Sequence, residues 1–183
     1  MKRIFDVVIS ILALLALSPV FILVPLIIRR DGGPALFRQV RIGLHGKAFS
    51  IYKFRSMLIN SEQLGGYSTQ ENDPRVTKIG RFVRKTSIDE LPQLLNVLKG
   101  EMSIVGPRPN VPKQRQEYNQ EQWDLRNSVL PGITGLAQAL LRSGATWQQR
   151  YDLDVEYVGS WSLFFDFKII LLTVKQILTK GGN

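Results

Sequence analysis

Val7-Val-Ile-Ser-Ile-Leu-Ala-Leu-Leu-Ala-Leu-Ser-Pro-Val-Phe-Ile-Leu-Val-Pro-Leu-Ile-Ile28 carries no charge, has Pro19 at its centre and is flanked by basic residues at both ends. Roughly 20 apolar residues in a helix cross about 30 Å of hydrocarbon, so the run is long enough to span a bilayer. Two features argue against a plain span. Pro19 has no N–H to give the carbonyl of Leu15 and its ring clashes there, so a continuous helix must kink or break. The flanks are also symmetric: Lys2 and Arg3 precede the run, and Arg29, Arg30, Arg38 and Arg41 follow it. Positive residues stay on the cytoplasmic side, and here both ends ask for that side. A helix that enters, breaks at Ser18-Pro19 and returns to the same face meets both demands, with the Ser18 hydroxyl placed to partner a backbone group freed at the break. A buried core helix is the poorer alternative, because nothing else in the chain is apolar enough to wrap it.

Length and composition bound the rest. The 183 residues fit one ordinary domain plus this element, with residues 1–30 as a membrane anchor and 31–183 as the unit it tethers. An apolar fraction of 44% suffices for a core. The absence of cysteine excludes disulfides, thiolate catalysis and cysteine metal sites. The single histidine, His45, excludes multi-histidine zinc sites and argues against a Ser-His-Asp arrangement. The apolar run is longer than a signal-peptide core and lacks a small-residue cleavage site, so it is expected to stay in the mature protein. A formal net charge of +9 implies an anionic partner: lipid headgroups, a nucleotide diphosphate or nucleic acid. Because basic residues sit beside the membrane run, lipid headgroups account for part of the excess without nucleic acid.

Downstream, Ala35-Leu-Phe-Arg-Gln-Val-Arg-Ile42 and Ala48-Phe-Ser-Ile-Tyr-Lys-Phe54 are predicted as strands, joined by a hairpin turn at Gly43-Leu-His-Gly-Lys47. That turn has two residues between its glycines and Ala48 after the lysine, so it does not match a P-loop. Residues 60–74 are rich in Ser, Gly, Asn and Asp and predict a loop. Between 75 and 85, Arg75, Lys78, Arg81 and Arg84 alternate with Val76, Ile79, Phe82 and Val83 at helical spacing. Such a helix suits a phospholipid interface; a solvated basic face on a core-packed helix fits the spacing equally. Residues 89–98 predict a short helix stopped by Gly100. Val105-Gly-Pro-Arg-Pro109 predicts a rigid turn, because two prolines fix φ around Arg108. Residues 113–127 predict a polar surface helix and Pro131-Gly-Ile-Thr-Gly135 a turn. Residues 163–178 are apolar but interrupted by Asp166, Lys168 and Lys175, which favours an interfacial or core-packed helix over a second span. The predicted fold class is therefore α+β and mostly helical: a re-entrant helix-break-helix, a short β-hairpin and interfacial amphipathic helices.

Arg84-Lys-Thr-Ser-Ile-Asp-Glu-Leu-Pro-Gln93 is the best candidate for chemistry, with adjacent carboxylates, Asp89 and Glu90, just after a basic run. Ser87 and Glu90 have the spacing of a capping box, a purely structural reading. The chemical reading is compatible with it. A helix start and nearby arginines would keep Asp89 ionised, as a carboxylate nucleophile or metal ligand requires. Leu91 precedes proline and is biased away from helical geometry, so the helix start could instead fall at Pro92, leaving both carboxylates on an exposed turn.

Taken together, the motifs Lys2-Arg-Ile-Phe-Asp6 with Ser18-Pro19, Ile51-Tyr-Lys-Phe-Arg-Ser-Met57, Thr86-Ser-Ile-Asp-Glu-Leu-Pro-Gln-Leu94, Asn96-Val-Leu-Lys-Gly100, Met102-Ser-Ile-Val-Gly-Pro-Arg-Pro109, Pro131-Gly-Ile-Thr-Gly135 and Asp152-Leu-Asp-Val-Glu-Tyr-Val158 give the chain a specific resemblance. Over nearly its full length it resembles the monotopic phosphoglycosyl transferases of bacteria, also called the bacterial sugar transferase family. The resemblance implies transfer of a phospho-sugar from a UDP-sugar to a polyprenol phosphate (undecaprenyl phosphate) at the cytoplasmic face of the inner membrane, with release of UMP. It implies a ping-pong route in which Asp89 attacks the sugar-bearing phosphate, Glu90 assists as a base or by positioning, and Mg2+ is held at Asp89. It further implies that residues 31–183 form the cytoplasmic catalytic domain. Lys53, Arg84 and Arg108 are expected to bind phosphate, and Arg142 and Asp154 to line the same pocket.

The chain departs from the family pattern at Leu130, Leu136 and Leu140-Leu141, where arginine, tryptophan and Asn-Gly are usual, which puts inherited sugar specificity in doubt. Expected partners are thus a UDP-sugar, a polyprenol phosphate and membrane phospholipids, with no nucleic acid and with a homodimer left open. The alternative is a non-catalytic module on the same anchor that binds anionic lipid or nucleic acid.

Overall fold

Helices α1 (Lys2–Ala16) and α2 (Ser18–Ile28) meet across Leu17 at 63° in a computed structural model that describes residues 1–61, 73–141 and 145–180. Pro19 sits in the first turn of α2, where a missing N–H leaves no helical bond broken. Among the described residues no single helix is long and apolar enough to cross a membrane, whereas the bent pair together passes on length and composition. The Ser18 hydroxyl makes no hydrogen bond among the described residues, contrary to its expected part at the break. The backbone closes the corner instead: Leu17 N donates to Ala13 O, and Leu17 O accepts from Val20 N and Phe21 N.

Helix α1 turns its polar side inward. Asp6 and Ser10 of α1 are buried, while Ile4, Val8, Ile11, Leu12 and Leu15 share the opposite, exposed face. Three side chains staple its first turns to the domain. Lys2 Nζ lies 2.5 Å from Asp166 Oδ2, and Arg3 caps the carbonyls of Val97 and Leu98. Asp6 Oδ1 accepts from Ser103 Oγ and Ile104 N, both at 3.0 Å.

Strands β1 (Leu36–Ile42) and β2 (Ala48–Phe54) form the predicted antiparallel hairpin, with Gln39 opposite Ile51. Helix α3 (Lys78–Lys85) starts later than its cationic pattern suggests. Thr77 caps it by accepting from Gly80 N, and Arg75 turns away to pair with Asp73 at 2.7 Å. Val83 packs with Val24, Ile28, Ala35 and Phe54, while Lys78, Arg81, Phe82 and Lys85 face outward. The predicted loop at 60–74 falls largely on residues 62–72, outside the described residues.

A 3₁₀ turn (Ile88–Gln93) leads into α4 (Leu94–Lys99), which ends at Gly100 in the left-handed conformation at φ 84°. The predicted single helix over 89–98 is therefore divided. Strand β3 (Ser103–Val105), just before the predicted turn at 105–109, pairs in parallel with β4 (Gly132–Thr134), a segment read from sequence as a turn. The approach there is so close that a Cβ on Gly132 would fall 2.1 Å from Gly106 N.

The predicted surface helix at 113–127 is a 3₁₀ turn (Pro112–Glu117) followed by α5 (Gln120–Arg126), which buries Trp123 and Arg126. Helices α6 (Leu136–Leu140), α7 (Trp147–Ser160) and α8 (Leu163–Lys180) complete the described residues. The main core joins Ile51, Leu94, Val97, Met102, Val105, Leu136, Tyr157 and Ile169, with Ile9, Ala13, Leu14 and Phe21 of the bent helix pair packed against it. Leu136, one of the departures noted above, is thus a core residue. Asp166, which interrupts the apolar pattern of α8, faces inward. It accepts from Lys2, Tyr157 and Trp161.

Candidate active site

Four segments bring one charged residue or pair each to a common pocket. Strand β2 presents Lys53, the last turn of α3 presents Arg84, the 3₁₀ turn presents Asp89 and Glu90, and the loop after β3 presents Arg108. With Ser87 they line a polar cavity of about 40 Å³. Ser87 adopts φ 56°, which reverses the chain after α3 and returns the carboxylates toward Arg84. Its side chain makes no cap, so the predicted capping box is not formed: Glu90 N bonds the Ser87 carbonyl, and the Glu90 carboxylate points to cations instead.

Glu90 is pinned. Its Oε1 lies 2.7 Å from both Lys53 Nζ and Arg108 Nη2, and Arg108 Nη1 is 3.4 Å from Oε2. Burial works against the Glu90 charge, but Arg108 and Lys53 outweigh it and hold the carboxyl far below the usual range. Burial lowers the Lys53 ammonium, with Glu90 opposing, and Glu90 raises the Arg108 guanidinium.

Asp89 differs in kind. It is only 6% exposed, and its carboxylate accepts no hydrogen bond from the described residues. Burial pushes it up to about 6, against the pull of Lys53, Arg84 and Arg108. The cations do favour the ionised form, in line with the sequence-based expectation that Asp89 is kept ionised, but desolvation is the larger effect and sets the direction of the shift. At pH 7 it remains ionised by about ten to one, and it is more basic than an ordinary aspartate.

Asn96, fully buried, locks this geometry from behind. Its Oδ1 accepts from Tyr52 N, and its Nδ2 donates to Ser50 O and to Glu101 Oε2, so it ties the strand carrying Lys53 to the helix that follows Asp89. Arg41 was read from sequence only as part of the basic flank of the apolar run. Its Nη1 donates to Pro109 O at 3.0 Å, and burial together with Arg108 pushes its guanidinium down to about 10.

Asp154 does not line the pocket, contrary to expectation. It is buried behind it and accepts from Arg126 Nε at 2.8 Å, and Arg126 in turn reaches the Arg108 carbonyl. Spacing gave no signal for Arg126, because its partner lies 28 residues away. Arg142 lies outside the described residues.

No group of three His, Cys, Asp or Glu side chains suited to a metal occurs among the described residues. Mg2+ does not need one, since it binds through one or two carboxylates together with substrate phosphates and waters. Asp89, whose oxygens are not committed to other side chains, fits such a donor set.

The family model described as bacterial sugar transferase matches residues 1–180. An uncharacterized sugar transferase of Bacillus subtilis is 45% identical over the whole chain, which spans 89% of that protein. A galactosyl transferase of Streptococcus agalactiae is 47% identical over 99% of the chain. The UDP-glucose:undecaprenyl-phosphate glucose-1-phosphate transferase of Escherichia coli is 45% identical over 95% of it. The chain spans 43% and 39% of the length of those last two relatives.

Proposed function

Because this chain belongs to the bacterial sugar transferase family, we propose that it transfers a phospho-sugar from a UDP-sugar to undecaprenyl phosphate and releases UMP. The observation that carries the proposal is Asp89: a buried, basic carboxylate without hydrogen bonds from the described residues, in a pocket ringed by Lys53, Arg84 and Arg108. Three cations against two carboxylates leave the pocket positive, as a diphosphate requires.

In the first step an Asp89 Oδ attacks the phosphorus bearing the sugar. The bond from that phosphorus to the oxygen bridging the two phosphates breaks, and its electron pair leaves with UMP. In the second step an oxygen of the polyprenol phosphate attacks the same phosphorus and the Asp89 carboxylate departs. A phosphate monoester with a second pKa of about 6 is already ionised at pH 7, so this attack needs little help from a base. Glu90, held far below its usual pKa between Lys53 and Arg108, is suited to positioning those cations rather than to taking a proton. Arg84, Lys53 and Arg108 bind phosphate oxygens and offset the charge that builds on them. Mg2+, held by Asp89 and the diphosphate, would neutralise phosphate charge when bound.

The bend at Leu17, the apolar outer face of α1 and the basic flanks support a re-entrant anchor at the inner membrane, with the pocket on the cytoplasmic side. Exposed Phe164, Phe167, Leu171, Val174 and Leu178 on one face of α8, and Phe82 among the cations of α3, suit the same interface. This placement brings a soluble donor and a lipid phosphate to one carboxylate.

The test is UMP release from a panel of UDP-sugars with undecaprenyl phosphate and Mg2+. Turnover is expected from the unmodified protein, and loss of at least a thousandfold from Asp89→Asn, on the order of a lost nucleophile. Undiminished turnover in Asp89→Asn would sink the mechanism.

A further inference from the structure

The loop that delivers Arg108 is held by its carbonyls. Pro107 and Pro109 have no N–H, so this stretch offers few donors with which to dock. Yet four successive carbonyls each accept a bond: Pro107 O from Gly132 N at 3.0 Å, Arg108 O from Arg126 Nη2 at 2.6 Å, Pro109 O from Arg41 Nη1 at 3.0 Å and Asn110 O from Ile42 N at 2.9 Å. Two of those donors are backbone groups of β4 and β1. The donor on Arg108 itself is a side chain from the last turn of α5, and it can reach only if something aims it.

Asp154 of α7 supplies the aim. Its Oδ2 takes the Arg126 Nε at 2.8 Å, both side chains are about 5% exposed, and the guanidinium lies 5.8 Å from the Tyr118 ring centroid. Buried between a carboxylate, a ring and a carbonyl, the Arg126 fork has one orientation. The Arg108 peptide is thereby fixed, and with it the starting point of the long side chain that meets Glu90 beside Asp89. Neither Arg126 nor Asp154 lines that pocket.

We propose that Arg126, held by Asp154, is a positioning residue that fixes the Pro107-Arg108-Pro109 backbone and so places the Arg108 guanidinium against the donor phosphates. The proposal rests on the transferase reading above. Its physical premise is that a displacement of about 1 Å at a phosphate-binding group costs on the order of 100-fold in rate.

The experiment is a double-mutant cycle in the full chain. One arm changes the ion pair together, Arg126→Met with Asp154→Leu, because removing both buried charges at similar volume preserves folding better than stranding one. A second variant, Arg126→Lys, keeps a charge opposite Asp154 but loses the fork that reaches the Arg108 carbonyl. The other arm is Arg108→Ala, and each change is made with and without it. The readouts are kcat/KM for UMP release and Kd for UDP, with the unfolding midpoint as a control.

The pair change and Arg126→Lys are expected to lower kcat/KM by about 10- to 100-fold, leave KM for the polyprenol phosphate unmoved, and have no further effect once Arg108 is alanine. A full-activity pair variant, or the same loss with and without Arg108, would overturn the positioning role. A wild-type chain that neither binds UDP nor releases UMP would instead overturn the transferase reading, and this inference with it.

Discussion

Asp89 and Glu90 are chemically alike and adjacent, and the fold pushes their titration in opposite directions. Glu90 meets two cations at 2.7 Å and is held low, whereas Asp89 loses water without gaining a hydrogen bond from the described residues and rises to about 6. Two expectations follow at this scale. On the proposed mechanism Asp89 must be ionised to attack, so kcat/KM should fall as pH drops through about 6. That limb should persist in Glu90→Gln at reduced rate, and a pH profile of both proteins checks it; loss of the limb in Glu90→Gln would assign it to Glu90. The linkage sign is the second expectation. A carboxyl whose folded pKa lies above its unfolded value binds more protons when folded, so its contribution destabilises the fold progressively as pH rises from about 4 to 6 and fully above that. Asp89→Asn should therefore be more stable at pH 7, on the order of 1–3 kcal/mol, by chemical denaturation in detergent. A less stable Asp89→Asn would contradict the burial account.

Elements follow their local signals where those signals are geometric. The hairpin was legible because its strands flank a five-residue turn with two glycines, and the end of α4 because Gly100 takes the left-handed conformation. Helix α7 was not read as a helix, although Thr146 and Gln149 form a capping box at its start, as Asn119 and Gln122 do for α5. Asp6 belongs to this scale as well, since one buried carboxylate joins α1 to β3 through two hydrogen bonds. Asp6→Ala would leave Ile104 N without a partner and should cost about 1.5–3 kcal/mol, measured by the same denaturation. Pro19→Ala tests the break, since restoring the N–H should bias the pair toward a straight span. Single cysteines placed at both ends of the run report it, and opposite-side labelling in the unmodified background would refute the re-entrant reading.

Across the whole molecule, the charge of +9 and the outward apolar residues act together. Binding to anionic vesicles is expected to weaken with salt but to persist at 1 M, where the Debye length is about 3 Å, because apolar insertion is not screened. Vesicle flotation checks this, and complete release at high salt would count against insertion.

The sequence by itself determined the break at Ser18-Pro19, the hairpin and the carboxylate pair, because each depends on residue type and short spacing, whereas the facing cations Lys53, Arg84 and Arg108 were legible only through the family resemblance. It could not determine that the Ser18 hydroxyl makes no bond among the described residues, that Ser87 reverses the chain instead of capping it, or that Asp154 stands behind the pocket. Only the tertiary structure decided those, along with the raised pKa of Asp89 and the inward turn of Asp166 to Lys2, 164 residues away. The reason is physical: local spacing fixes which way a chain bends, whereas burial and ion pairing depend on which distant segment arrives to exclude water.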